Sequence, residues 1–438
     1  MNNRILHKII PSLKVRRYLK KNLSFIQKIL HLNLIRVARK KQRRTLFKLK
    51  EKEGFKVAFF MLTPSSWKYE SLYSEMLNNY YFEPIVIIIP FTKVSDDDMH
   101  QEMKNAEEFC IKQGYKYTST WNVKERIFED IKRMVNPDII FFSHPYPISY
   151  KEYSLTNYLD VLSCWVPYSI RQEALYKDMF DQLFHNMFWR NYSESAIHLE
   201  ISKSNARNKG ENVVVTGYPI IDAILAAKPN NGSWIPQKKQ KKRIIWSPHW
   251  TIRGYASSPL NWATFLRYCE LMLELAIEYE DQIQFAFKPH PLLRSILEKD
   301  NLWGKSKTGN YWNKWQTLSN AQIHEEYYLD LFADSDALIH DCGSFMIEYL
   351  ALNKPVLYLQ NEPDVNYRFN EYGIQALNCH YKALTETDVR NFILDLIDEK
   401  DELSDSRIAF GENWFKFDGE TVATRIIDDL LTSLNKKK

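Results

Sequence analysis

The sequence predicts an α/β protein of two doubly wound, parallel-sheet domains behind a basic helical extension. Three observations carry this prediction. From residue 56 onward, apolar runs of strand length alternate with amphipathic segments of helix length, the rhythm of a parallel sheet covered on both faces. That rhythm stops in the polar, lysine-rich stretch from Lys228 to Lys242 and restarts at Arg243. Of the 59 Lys and Arg residues, 16 fall within residues 1–50, which contain no acid; the other 388 residues hold 43 basic against 54 acidic groups, a net of −11. The expected division is an arm over 1–54, a first domain over 55–235 and a second domain over 236–416. A last helix over 417–438 packs back toward the first domain.

The elements follow in order. Residues 56–62 read as a buried strand, then a helix over 67–78, a strand over 84–90, a helix over 99–113, a helix over 123–134 and a strand over 138–142. Further strands are expected near 159–166 and 213–216. In the second half come a strand at 243–247, a helix at about 260–279, a strand over 282–288, a helix near 291–302 and an aromatic loop region. A strand at 337–339, a helix carrying Phe345, Met346, Tyr349 and Leu350 on one face, and a strand at 355–359 follow. Helices at about 385–399, 402–415 and 418–434 close the chain. No fixed-period repeat and no low-complexity tract interrupts this order.

At 438 residues, 45% apolar and 14% aromatic, the chain has ample core for two domains. No apolar run approaches the roughly 18–20 residues that span a bilayer. Five widely spaced cysteines without a C-x-x-C pair argue for free thiols in a reducing compartment, against a disulfide framework and against a zinc site. In the arm, Ile5, Leu6, Ile9, Ile10 and Leu13 recur at helical spacing until Pro11 interrupts. A second stripe, Leu23, Ile26, Leu30, Leu34 and Val37, sits opposite Lys20, Lys21, Lys28, Arg36, Arg39, Lys40 and Lys41. An apolar stripe beside so many cations suits an anionic membrane surface, each cation contributing about 1 kcal/mol. A helix packed on its own body reads the same way. Nucleic acid is disfavoured, because no aromatic stacking pattern or reader motif accompanies the charge. No uninterrupted h-region marks a signal peptide. The expected location is the cytoplasmic face of the cell membrane.

Open α/β sheets bind ligands beyond the carboxyl ends of their strands. Four polar clusters fall there. In Asp336–Leu359 a strand runs into Asp341-Cys342-Gly343-Ser344 and then a helix, whose free N–H groups and dipole suit a phosphate or pyrophosphate. Glycine admits close backbone approach, Ser344 adds a hydroxyl, and Glu348 lies one turn on, within reach of a ribose. An ordinary βαβ unit with Ser344 as an N-cap explains the same residues. Lys288-Pro289-His290-Pro291 offers a stiffened imidazole and a cation. Ser247 to Arg253 offers His249 and Arg253, and Ser143-His144-Pro145-Tyr146 offers a histidine in the first domain. A structural role is the alternative for each histidine. Phosphate-loop, dinucleotide-fingerprint, nucleophile-elbow and zincin templates are absent.

Together these segments resemble the CDP-glycerol glycerophosphotransferase family, the primases and polymerases of teichoic acid synthesis. Gly217-Tyr218-Pro219-Ile220-Ile221-Asp222 resembles its G-Y-P-R-x-D, and Ile245–Trp250 its a-P-T-W strand end. Lys288–Pro291 resembles its K-x-H-P, Asp336–Leu359 its S-D-x-L-I-T-D-Y-S-S segment and Phe417–Thr421 its D-G-x-A-(S/T). The resemblance implies a GT-B fold of two Rossmann-like domains and a CDP-glycerol donor whose pyrophosphate is held by His290, Gly343 and Ser344. It also implies no metal or other cofactor, and a membrane contact that meets a lipid-linked acceptor. Two departures stand out. The family's W-H-G, with its base histidine, is Trp165-Val166-Pro167 here, and its G-Y-P-R arginine is Ile220. The site expected from all this is catalytic His290, His144 and His249, with Lys288, Arg253, Asp341, Gly343, Ser344 and Glu348 on the donor. Because the D-C-G-S-x-x-x-E pattern also resembles UDP-sugar epimerases and transferases, a UDP-sugar enzyme is the first alternative. A non-catalytic membrane-docked scaffold is the second.

Overall fold

The computed structural model describes residues 13–230, 232–255 and 261–437. Seven parallel strands form the first sheet in the order Tyr117–Ser119, Phe82–Ile88, Phe55–Met61, Ile139–Phe142, Leu162–Trp165, Arg190–Ser193, Val213–Val215. Six parallel strands form the second, in the order Ala321–Ile323, Ile283–Phe287, Lys242–Ser247, Ala337–His340, Val356–Leu359, Tyr381–Ala383. In each sheet the strand order reverses beside the first strand, between Phe55–Met61 and Ile139–Phe142 and between Lys242–Ser247 and Ala337–His340. Connecting loops diverge to opposite faces at such a point and leave a crevice. The central strands are buried on both faces, which is why they read as continuous apolar runs.

Several elements differ from the sequence reading. Residues 123–134 form a hairpin, Trp121–Asn122 against Ile127–Phe128, and one helical turn, Ile131–Met134, capped by Asp130. The aromatic loop region is a helix, Gly304–Thr317, which buries Tyr311, Trp312 and Trp315 against the second sheet. Arg190–Ser193 is a full member of the first sheet, although its residues are polar. The stretch between the sheets is not loose. Trp234 is buried, the Ile235 N–H donates to Gln322 Oε1 at 2.7 Å, and Gln284 Nε2 donates to the Ile235 carbonyl at 2.7 Å.

The arm is one helix, Leu13–Leu49. Ile5, Leu6, Ile9, Ile10 and Pro11 lie outside the described residues, as do the side chains of Leu23 and Ile26. Its second half docks on the first domain through Ile35, Ala38, Gln42 and Leu49, spaced for one helical face. Gln42 Nε2 donates to the Met187 carbonyl at 2.7 Å, and Arg39 pairs with Glu211 at 2.8 Å. Leu30 and Val37, two residues of the expected stripe, face solvent instead. At the other end, the helix Val422–Ser433 returns to the first sheet. Asp222 accepts from the N–H groups of Val422 and Ala423 at 3.0 and 2.9 Å, and Asp429 pairs with Arg190 at 2.8 Å. The Gly-Tyr-Pro segment thus supplies the carboxylate that caps the last helix.

Candidate functional site

The two switch points face each other. Lys68 follows the first strand of the first sheet and His144 follows the adjacent Ile139–Phe142 strand, while His249 and Asp341 follow their counterparts in the second sheet. Buried Lys68 crosses the gap, with Nζ donating to the Tyr328 hydroxyl at 2.5 Å and to Glu348 Oε1 at 3.0 Å. The Tyr328 hydroxyl donates to the other Glu348 oxygen. Both oxygens of the residue expected to hold a ribose are therefore engaged, one in an interdomain ion pair and the other by a hydroxyl of its own domain.

His290 and His249 come together as the sequence suggested, their ring centroids 5.1 Å apart, with Trp250 5.9 Å from His290. His290 Nδ1 accepts from the Leu292 N–H at 3.1 Å, and His249 Nδ1 lies 2.8 Å from Thr251 Oγ1. Burial and the charge of Lys288 push His290 down to about 3. Burial, then His290, lowers His249 well below the ordinary value. Both rings are held neutral. Lys288 Nζ donates to the Glu326 carbonyl at 2.8 Å, and burial brings its pKa down to about 7. Arg253 is exposed on the loop after His249, where its charge acts on Glu362. It does not join the cluster.

Asp341 does not face a ligand. It is fully buried; Oδ1 accepts from the His249 N–H at 2.6 Å, and Oδ2 from the Thr264 N–H and hydroxyl at 2.5 and 2.8 Å. Burial raises it to about 6 against those bonds. With both oxygens taken up by protein donors, Asp341 ties the His249 loop to the start of the helix Phe265–Glu278 instead of binding a donor.

Gly343 faces the first domain. A Cβ there would meet Gln172 Nε2 at 2.2 Å and Glu173 Oε1 at 3.1 Å. Of Ser344, the first residue of the short helix that follows, the backbone alone is described. Residues 171–174 form a strap across the gap. Glu173 bridges antiparallel to Phe369, the Gln172 carbonyl accepts from the Asn370 N–H at 2.8 Å, and the Ala174 N–H donates to the Arg368 carbonyl at 2.8 Å. Beneath the strap lies a buried network that the sequence reading missed. Arg171 donates to Glu194 at 3.0 and 2.6 Å and to Ser193 Oγ at 2.9 Å, and the Arg171 carbonyl is 2.9 Å from His198 Nε2. Burial pushes Glu194 up, but Arg171 and His198 outweigh it and the carboxyl lies at about 2. The available signal was the position of Arg171 and Glu194 just beyond two first-sheet strands.

His144 sits beside this strap. Its Nδ1 is 3.0 Å from Ser143 Oγ, its ring stacks on Tyr168 at 4.5 Å, and burial plus the charge of Lys68 lowers it to about 3. Two surface concavities, of about 310 and 460 Å³, are lined by Lys112, Asn230 and His324 and by Tyr176, Ile197 and Glu371; neither includes His144, His249, His290 or Gly343.

The model of the CDP-Glycerol:Poly(glycerophosphate) glycerophosphotransferase family matches residues 170–432, well over half of the chain. The chain belongs to this family. The chain is also similar to a longer protein: the Staphylococcus aureus teichoic acid ribitol-phosphate polymerase TarK is 22% identical over 267 residues, 57% of this chain and 46% of TarK. The glycerophosphotransferase-family chain thus spans about half the length of the curated relatives it matches. Among solved structures, the wall teichoic acid polymerase TagF soaked with CDPG superposes with a TM-score of 0.55 at 15% identity, covering 97% of this chain and 99% of that one. Staphylococcus aureus MnaA with UDP gives 0.55 at 17%, covering 87% and 97%. These likenesses establish the fold, two Rossmann-like domains of the GT-B type. Among the described residues, no helix is long and apolar enough to cross a membrane.

Proposed function

We propose that this glycerophosphotransferase-family chain is a metal-independent transferase. It moves glycerol phosphate, or a related polyol phosphate, from a CDP-activated donor to a membrane-linked polymer or glycan precursor of the cell envelope. The His249–His290 pair, tied by the His249 N–H to Asp341 at the start of the Gly343 turn and set across from the first domain's switch point, is the observation that carries this reading. Donor pyrophosphate sits on Gly343, Ser344 and the helix they open. His290, aided by Lys288 and His249, stabilises the charge that builds on the leaving CMP. A group from the first domain takes the proton of the acceptor hydroxyl; His144 is the histidine placed there. Glu348 reaches the donor ribose only after Lys68 and Tyr328 release it.

The arm supports peripheral attachment to the inner face of an anionic membrane. Exposed Leu30, Leu32, Val37 and Phe47 alternate with Arg36, Lys40, Lys41, Arg43 and Arg44.

His290→Ala tests the chemistry. Turnover of CDP-glycerol should fall at least about a hundredfold, the loss typical of one transition-state donor, while the melting temperature stays near wild type. Unchanged turnover removes His290 from the mechanism. The absence of the family's base histidine at Val166 favours one other reading, a non-catalytic scaffold. A rise in melting temperature with CDP-glycerol, together with CMP release, excludes it.

A further inference from the structure

We propose that Glu173, presented by the strap to the Gly343 turn, is the general base of the transfer reaction and replaces the histidine missing at Val166. This deepens, and rests on, the function proposed above. Glu173 is a first-domain side chain in direct reach of Gly343: its Oε1 lies 3.1 Å from the place a Cβ would occupy. Its position is built. The backbone bridges to Phe369, and the neighbouring carbonyls of Gln172 and Arg171 accept from Asn370 N and Nδ2 at 2.8 and 2.7 Å. The carboxylate accepts from Gln172 Nε2 at 3.3 Å and from its own backbone N–H, and among the described residues no cation pairs with it as Arg171 pairs with Glu194. A nearly buried carboxylate left so lightly bound is a poor structural element and a competent proton acceptor. His144 is less well placed, with Nδ1 against Ser143 and its ring face covered by Tyr168.

In the step, the acceptor O–H bond breaks and its proton passes to a Glu173 oxygen. The acceptor oxygen forms the new bond to the donor's β-phosphorus. The bond from that phosphorus to the bridging oxygen breaks, and CMP leaves with the electron pair. Water then removes the proton from Glu173.

The groups facing Glu173 are Tyr146, Tyr168 and Glu194 from the first domain and Tyr358 from the second. Burial, reinforced by Glu194, raises its pKa to about 7, whereas His144 lies at about 3. The two candidates therefore predict different acid limbs. A base must be deprotonated, so activity falls as pH drops through its pKa; Lys288, losing charge near 7, acts on the opposite limb.

The test is CMP release from CDP-glycerol by the full chain over pH 5–9, with melting temperature measured with and without CDP-glycerol. Wild type should lose activity below about pH 7. Glu173→Gln should keep the CDP-glycerol melting shift, lose CMP release about a hundredfold or more, and show no acid limb near 7. His144→Gln should keep that limb, and Glu173→Asp should keep both the limb and part of the rate. The raised pKa means the folded state gains from protonation below the ordinary carboxylate value and loses that gain as pH rises through 7. Glu173→Gln should thus melt higher than wild type at pH 8, by a margin that narrows toward pH 5 and closes only below about pH 4. A Glu173→Gln enzyme within about threefold of wild type, or one retaining the acid limb near 7, overturns the assignment and leaves the transferase reading intact. A wild-type chain that neither binds nor cleaves CDP-glycerol overturns both.

Discussion

Lys68 shows how far a single residue's role depends on its partners. With Glu348 it forms an ion pair in which both side chains are at most 4% exposed, drawn from domains 280 residues apart in sequence. Desolvation makes such a pair a weak source of net stability, yet removing one partner leaves a buried charge uncompensated. Lys68→Met should therefore destabilise the protein by about 3–5 kcal/mol in chemical denaturation, and adding Glu348→Gln should restore part of the loss. Independent, additive losses would mean the pair is not coupled. At this scale the sequence was readable where chemistry is written locally. Proline-bracketed His290 and His249 do converge, and Gly343 does face the gap. Lys68, Arg171 and Glu173 carried no local signal, because a lone cation or carboxylate after a strand gains meaning only from what lies across the crevice. Asp341 misled for a related reason. A carboxylate in a turn looks alike whether it faces a ligand or clamps a neighbouring loop.

Among the elements, the helix Glu371–Leu377 and the strap form a hydrogen-bonded seam between the domains. Asn370 caps that helix through the Gly373 N–H at 2.9 Å and also donates to the Arg171 carbonyl at 2.7 Å. A Cβ on Gly373 would meet the Gln172 carbonyl oxygen at 2.6 Å, and backbone cannot swing aside. Gly373→Ala should cost about 1–3 kcal/mol, as overpacking does, and loosen the strap. Gly343→Ala meets chiefly the movable Gln172 amide and should cost less. Equal melting temperatures for the two variants would show that the strap yields freely. Strands and helices with plain periodicity were legible, whereas the caps at Ser95, Thr385 and Thr421 came only from the structure. Arg190–Ser193 was hidden because Arg190 and Ser193 find their polar partners, Asp429 and Arg171, in other elements. Gly304–Thr317 was hidden because Gly304, Gly309 and its lysines mask the aromatic stripe that packs on the second sheet.

For the whole molecule, the charge imbalance between arm and body sets the expected behaviour at a membrane. Vesicles containing anionic lipid should bind the full chain and neutral vesicles should not. Each of Arg36, Lys40, Lys41, Arg43 and Arg44 changed to Gln should weaken binding about fivefold, equivalent to about 1 kcal/mol per cation. High salt should release the protein. Binding that ignores lipid charge would exclude this surface. By itself the sequence determined the two α/β repeats, the basic arm and the histidine- and glycine-bearing strand ends, because periodicity, charge and proline or glycine act over a few residues. Tertiary structure alone decided which arm face is buried, that Glu348 meets Lys68 and that Glu173 reaches Gly343. Those are contacts between residues far apart in the chain, chosen by how two sheets close on each other and not by any local preference.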